Sequence, residues 1–295
     1  MTFEEMKARV ATGQGFIAAL DQSGGSTPKA LKGYGVEEGA WSNEDEMFGL
    51  IHQMRSRIVE APCFGNGKVI GAILFEKTMD GESGGKSMPA RLAERGIVPF
   101  LKVDKGLEDE ANGVQLMKPN PDLETLCARA RAKGVFGTKM RSVIKSNDTA
   151  GIKAVVHQQF AEAARILAAG LVPILEPEYD ITAADRADGE KVLLETIEEG
   201  LGALPEGQQV MLKLSIPVDA GLYSGLVNHS NVLRVVALSG GFSTDEACEK
   251  LAQNPGMIAS FSRGLLQDLR AQQSDEEFDS TLGNAIDQIH AASVG

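Results

Sequence analysis

A lysine interrupts an otherwise apolar stretch, Val210-Met211-Leu212-Lys213-Leu214-Ser215-Ile216-Pro217, whose residues suit a buried strand. An unpaired ammonium in an apolar wall is costly, so such a lysine is paired, partly neutral or used. Burial and nearby cations both lower a lysine pKa, and the free amine can then attack a carbonyl. The plainer alternative is a strand-end lysine whose stem covers apolar surface while its head reaches solvent. Two other pairs carry the i, i+2 spacing that puts side chains on one face of a strand: Lys139 with Arg141, and Glu176 with Glu178. Facing inward, they bring cations and carboxylates together, although each pair alone also reads as a structural ion pair. In that company Lys213 suits addition to a ketone, with Lys139 helping to keep its amine uncharged. Glu176 suits the proton shuttle that forms and breaks the carbinolamine. A protonated imine is an electron sink, so a neighbouring carbon–carbon bond can break to an enamine. Asp21 or Glu176 can take the hydroxyl proton of the departing aldehyde.

These residues need elements that end in one place. Apolar stretches at 16–20, 69–75, 98–103, 135–143, 171–175, 210–217, 232–238 and 257–261 read as strands. Most close on a charged or hydroxyl residue: Asp21, Lys102, Lys139 with Arg141, Glu176 with Glu178, Lys213, Ser239 and Arg263. Helices are predicted over 3–11, 43–60, up to Arg95, 122–133, 150–169, 183–204, from Thr244, and over 275–292. The 43–60 helix has its apolar stripe at Met47, Leu50, Ile51, Met54 and Ile58. Ser243 and Glu246 have capping-box spacing, and 107–120 reads as a loop. Eight strands alternating with helices predict a single-domain (β/α)8 TIM barrel over residues 1–295, with its site at the C-terminal strand ends. An open doubly wound sheet is the alternative, weakened because no GxGxxG follows the first strand.

Two anion sites are readable. Ser239-Gly240-Gly241 lies between a strand and a helix, where backbone N–H groups and a helix N-terminus hold phosphate. Ser262 and Arg263, after the last strand, add a hydroxyl and a guanidinium fork. The glycines alone signal only a turn; the arginine beside them changes that reading. The second site is the turn from Ser23 to Ser26, with Lys102 across the mouth. Two anion sites flanking a reactive lysine predict a small substrate phosphorylated at both ends.

The net charge of −12 argues against a nucleic-acid or anionic membrane surface as partner. Cys63, Cys127 and Cys248 are few and scattered, with no CxxC, so a reducing cytoplasm is expected. The N-terminus lacks the basic-then-apolar layout of a secretory signal, and no apolar run has membrane-spanning length. His52, His157, His229 and His290 lack HxH or HExxH spacing, so no metal is expected. A homo-oligomer is compatible with the sequence.

The order of these motifs resembles class I fructose-1,6-bisphosphate aldolases in their shorter bacterial form, from Phe16 to Leu266. Ala18-Ala19-Leu20-Asp21-Gln22-Ser23-Gly24-Gly25-Ser26 is similar to the family's AADESTGS, and Leu101-Lys102-Val103-Asp104-Lys105-Gly106 to IKVDKG. Lys139-Met140-Arg141-Ser142-Val143-Ile144-Lys145 resembles KWRCVLK, and Val172-Pro173-Ile174-Leu175-Glu176-Pro177-Glu178 resembles VPIVEPE. Leu212-Lys213 falls on the Schiff-base lysine and Leu238-Ser239-Gly240-Gly241 on LSGG. The resemblance implies a Schiff base at Lys213, principal proton transfer by Glu176, and assistance to cleavage by Asp21. It implies substrate orientation and proton balance by Lys139 and Arg141, with Glu178 completing the catalytic set. Ser239, Gly240, Gly241, Ser262 and Arg263 would hold the ketone-half phosphate; Ser23, Ser26 and Lys102 would serve the other. It further implies a role in glycolysis and gluconeogenesis without cofactor or metal.

The departures are specific. Met140 replaces the tryptophan usual in animal enzymes, and Leu214 the proline after the lysine. Ser260-Phe261-Ser262-Arg263 is shorter than SFSYGR, so the role of Arg263 assumes a two-residue deletion. The final residues His290 to Gly295 lack the mobile tyrosine of animal aldolases, whose step would fall to Glu176 or water. Transaldolase, another imine-forming barrel, offers no reason for two phosphate sites. A barrel that only binds sugar phosphates would not need Asp21, Glu176 and Lys213 together.

Overall fold

Side chains that satisfy the first backbone N–H groups set several helix starts. Thr2 with Glu5 completes a capping box on helix Phe3–Thr12, as Ser274 with Glu277 does on helix Asp275–Val294. Ser243 Oγ accepts from the Glu246 N–H at 3.2 Å to start helix Thr244–Ala252, but that glutamate's carboxylate lies 3.9 Å from Lys250. Only the forward half of the expected box therefore forms. Asn43 and Asp148 cap helices Glu44–Glu60 and Thr149–Ala168 in the same way.

The computed structural model describes residues 1–295. Eight parallel strands follow one another around a barrel: β1 (Phe16–Leu20), β2 (Val69–Leu74), β3 (Val98–Lys102), β4 (Gly137–Ile144), β5 (Val172–Tyr179), β6 (Val210–Ser215), β7 (Val232–Leu238) and β8 (Ile258–Ala259). Neighbours in sequence are neighbours in the sheet, with helices in the crossovers, which is the (β/α)8 TIM-barrel fold. Between β8 and β1 the strands lie side by side without a ladder. The Ala259 N–H at that seam donates instead to Ser293 Oγ, 3.0 Å away on the last helix.

Strand alternation sorts the core into two layers. Ile17, Ile73, Phe100, Ile174, Met211, Val236 and Ile258 face the barrel interior and cluster with Met6 and Val10 of helix Phe3–Thr12. Leu20, Leu74, Leu101, Leu175, Leu212, Leu214 and Ala237 belong to the larger cluster shared with the outer helices. Each large apolar side chain so buried contributes roughly 1.5–3 kcal/mol. The interior cluster is thus a packed floor closing the N-terminal end of the barrel, and whatever stands above it faces the other mouth.

Several local elements differ from the sequence reading. A short helix, Glu76–Asp80, follows directly on β2 with no counterpart among the expected helices, and the β5–β6 helix begins at Arg186, later than expected. Helix Ser26–Gly33 opens straight out of the Ser23–Ser26 turn and carries Pro28 in its first turn, where a proline is tolerated. The expected loop 107–120 contains a two-residue strand, Val114–Gln115, antiparallel to the end of β4. It extends the sheet at one point of the mouth and brings Leu107 to the cavity rim. No helix is long and apolar enough to cross a membrane.

Candidate active site

The charged residues that end the strands lie an even number of positions beyond inward residues lower in the barrel, so they face inward too. Met211 leads to Lys213, Ile174 to Glu176 and Phe100 to Lys102. On β1, Ile17 is followed by Ala19 and then Asp21. On β4, Gly137 leads to Lys139 and Arg141. A glycine is needed at that start, because a Cβ would lie 2.2 Å from the Val172 carbonyl. Register then aligns the strands: Lys102 pairs with Lys139, and Arg141 with Glu176. Glu176 and Lys213 each follow the Leu175–Leu212 pair by one residue. Two residues beyond Lys213, Ser215 Oγ both accepts from the Tyr179 N–H (3.0 Å) and donates to the Tyr179 carbonyl (2.7 Å). That exchange fixes the ends of β5 and β6 against each other.

The result is a cavity of about 670 Å³ bordered by every residue predicted for catalysis or binding, from Asp21, Ser23 and Ser26 to Ser262 and Arg263. At its base, Glu176 bridges two amines: Oε1 lies 2.9 Å from Lys213 Nζ and Oε2 lies 2.8 Å from Lys139 Nζ. Lys139 Nζ also lies 2.6 Å from Asp21 Oδ2. The side chains of Lys139, Glu176 and Lys213 are at most 5 % exposed, so these charges have each other in place of water. Burial alone would raise the Asp21 carboxyl, but Lys139, Lys213 and Lys102 outweigh it and hold the group well below the usual carboxylate range. Glu176 is also penalised by burial and is lowered on balance by Lys139 and Lys213. Burial would lower Lys139, yet Asp21, Glu176 and Asp104 raise it far above the ordinary lysine value. Lys139 is therefore a fixed positive charge committed to two carboxylates. It stands beside Lys213 through Glu176, the carboxylate that both amines contact. Burial raises the Glu178 carboxyl, with the nearby Glu176 charge adding and its partner Arg141 opposing.

The rim is where the chain leaves hydrogen-bonding capacity unspent. Gly240 and Gly241 have φ of +61° and +134°, and a Cβ on Gly240 would meet Ile181 at 2.6 Å. Neither glycine's N–H has an acceptor in the protein. Arg263 and Lys29 border the cavity without an ion-pair partner, while Ser260 Oγ is buried there with no partner. Lys102 differs: its Nζ is 2.5 Å from Asp104 Oδ1. The Ser23–Ser26 turn is partly self-satisfied, since Ser26 Oγ accepts from the Ser23 N–H (2.9 Å) and donates to the Ser23 carbonyl (2.8 Å). Its hydroxyl proton is thus committed in this conformation.

A sequence profile described as fructose-bisphosphate aldolase class-I matches residues 3–197. The chain belongs to the class-I fructose-bisphosphate aldolase family. The matched span contains Asp21, Lys102, Lys139 and Glu176 and stops before β6, so Lys213 is placed by its contact with Glu176 inside the span. Among solved structures, the chain is similar to a Plasmodium falciparum fructose-bisphosphate aldolase in ternary complex with TRAP and a small-molecule inhibitor. The TM-score is 0.76 at 21 % identity, covering 99 % of this chain and 94 % of that one. A Corynebacterium glutamicum protein matches with a TM-score of 0.54 at 14 % identity, covering 98 % and 92 %. At these identities the structural likeness establishes the barrel.

Several residues of this aldolase-family site were not among those predicted. Asp104 accepts from Lys102 and from the Gly106 N–H through Oδ1, and from the Arg141 N–H through Oδ2 (3.2 Å). It therefore ties β3 to β4 at the mouth, and its signal was the i, i+2 spacing from Lys102. Gln22 lies next to Asp21 and borders the cavity. Behind it is Arg55, which is wholly buried. Its signal was its place within an apolar stripe, four residues after Ile51 and three before Ile58.

Proposed function

We infer that this chain is a Schiff-base, metal-independent aldolase that reversibly cleaves fructose 1,6-bisphosphate to dihydroxyacetone phosphate and glyceraldehyde 3-phosphate. The observation that carries this reading is the Lys213–Glu176–Lys139–Asp21 relay on the barrel floor. An amine whose only ionic contact is a buried carboxylate can pass its proton there and attack the ketone carbon of the open-chain sugar. Glu176 returns the proton as the carbinolamine loses water, leaving a protonated imine on Lys213. The bond between the third and fourth sugar carbons then breaks. Its electrons enter the imine to give an enamine, while a carboxylate, Asp21 or Glu176, takes the fourth-carbon hydroxyl proton. Protonation of the enamine and hydrolysis of the imine release the second triose phosphate. Lys139, held cationic, keeps both carboxylates side by side and ionised in the free protein, ready to take a proton during turnover.

The unspent N–H groups of Gly240 and Gly241, with Ser262 and Arg263, support binding of the ketone-half phosphate. Lys29 and the Ser23 turn lie on the rim beside β1 and support the second phosphate. Family membership supports a place in glycolysis or gluconeogenesis. The deciding experiment is a turnover assay with fructose 1,6-bisphosphate, with and without a metal chelator. Triose phosphate release unaffected by the chelator is expected; absent or chelator-sensitive release would overturn the reading.

A further inference from the structure

One side chain spans the seam where β1 and β8 have no ladder. Gln22 Nε2 donates to Ser262 Oγ at 2.5 Å and to the Ala19 carbonyl at 3.1 Å, while its Oε1 accepts from Arg55 at 3.2 Å. The amide can face only one way: a guanidinium only donates and a carbonyl only accepts. Arg55 is itself fixed, donating to the Gln22 carbonyl and to Thr78 Oγ1 at 2.6 Å each. It has no carboxylate within ion-pair distance, so neutral oxygens and the more distant charge of Asp21 are its compensation. A buried cation held this way is costly, and an apolar residue would complete the same helix stripe. The cost points to a use.

A hydroxyl has one proton to give and two lone pairs to receive. Ser262 Oγ already accepts from the Gln22 amide, and no group in the protein accepts its proton. We propose that Gln22, oriented by Arg55, is a positioning residue that turns the Ser262 hydroxyl into a donor toward the phosphate held at the β8 mouth. An amide turned the other way would present its oxygen, capture that proton and leave lone pairs facing the anion. The proposal rests on the sugar-phosphate reading for the identity of the anion. It assigns no proton transfer to Gln22 or Arg55.

The test is a double-mutant cycle read by calorimetric titration of inorganic phosphate and by KM for the sugar bisphosphate. A hydrogen bond to a charged group is worth roughly ten- to a hundredfold in affinity. Ser262→Ala and Gln22→Met are each expected to weaken phosphate by about tenfold or more. The double variant should be no weaker than the worse single one, because both remove the same bond. KM should rise with it while kcat changes by much less. Gln22→Asn, which keeps an amide but cannot span the gap, should reproduce the loss if Gln22→Met does not fold. Arg55→Lys keeps the charge but loses the fork and should show the same weakening. Additive losses, or wild-type phosphate affinity in the Gln22 variants, would overturn the proposal. Phosphate titration needs no turnover, so failure of the aldol reading and failure of this one give different results.

Discussion

Replacing Lys139 with methionine isolates the charge that holds the floor of the site together. Its Nζ lies 2.6 Å from Asp21 and 2.8 Å from Glu176. At an effective dielectric of about 20, each contact is worth roughly 6 kcal/mol of Coulomb attraction. Most of that is offset by the cost of burying the ammonium, and breaking such a pair typically leaves a net loss of about 3–5 kcal/mol. The loss must depend on pH. In the wild type Asp21 and Glu176 are lowered, so their contribution is present above ordinary carboxylate values and disappears as pH falls through the lowered ones. The raised Lys139 contributes fully below the ordinary lysine value and is lost only as pH climbs through the raised one. Removing it leaves two adjacent buried carboxylates whose pKa values must rise, so protonation relieves the variant at mildly acid pH. Urea unfolding of both proteins at pH 8 and pH 4.5 is the assay, compared through midpoints and slopes. The deficit should be about 3–5 kcal/mol at the higher pH and clearly smaller at the lower. A deficit below about 1 kcal/mol, or one independent of pH, would refute the reasoning.

Glu176→Gln keeps the size and polarity of the side chain but removes the proton carrier, so kcat should fall by roughly 10²–10⁴-fold with KM little changed. Because the wild-type carboxyl is lowered, kcat/KM should not acquire an acid limb from Glu176 within the ordinary carboxylate range; a limb there that vanishes in the variant would contradict the assignment. Arg263→Ala should raise KM for the bisphosphate by roughly ten- to a hundredfold while leaving borohydride-trappable imine formation at saturating substrate. Unchanged KM would remove Arg263 from the anion site.

The barrel and its reactive floor were legible in the sequence for the same reason. Period-two alternation fixes which face a side chain takes, so an inward Met211 or Ile174 carries Lys213 or Glu176 inward with it. Strand ends rich in charge then meet wherever the sheet closes. Position along a strand does not say which charges pair. Lys139 shares Glu176 with Lys213, and its second contact, Asp21, comes from the end of a strand that is not its neighbour in the sheet. The Arg55–Gln22–Ser262 chain joins residues separated by 33 and 240 positions, which no local pattern connects. Short elements such as Val114–Gln115 were hidden because two paired residues leave no periodicity to read.

The proposed chemistry begins at one amine, that of Lys213. Borohydride added in the presence of dihydroxyacetone phosphate should reduce an imine and leave a single mass increment of the reduced triose phosphate on the peptide containing Lys213. Lys213→Met should give no adduct and no turnover, while still binding phosphate. An unmodified Lys213 in an active enzyme, or an adduct on Lys139 in its place, would contradict it.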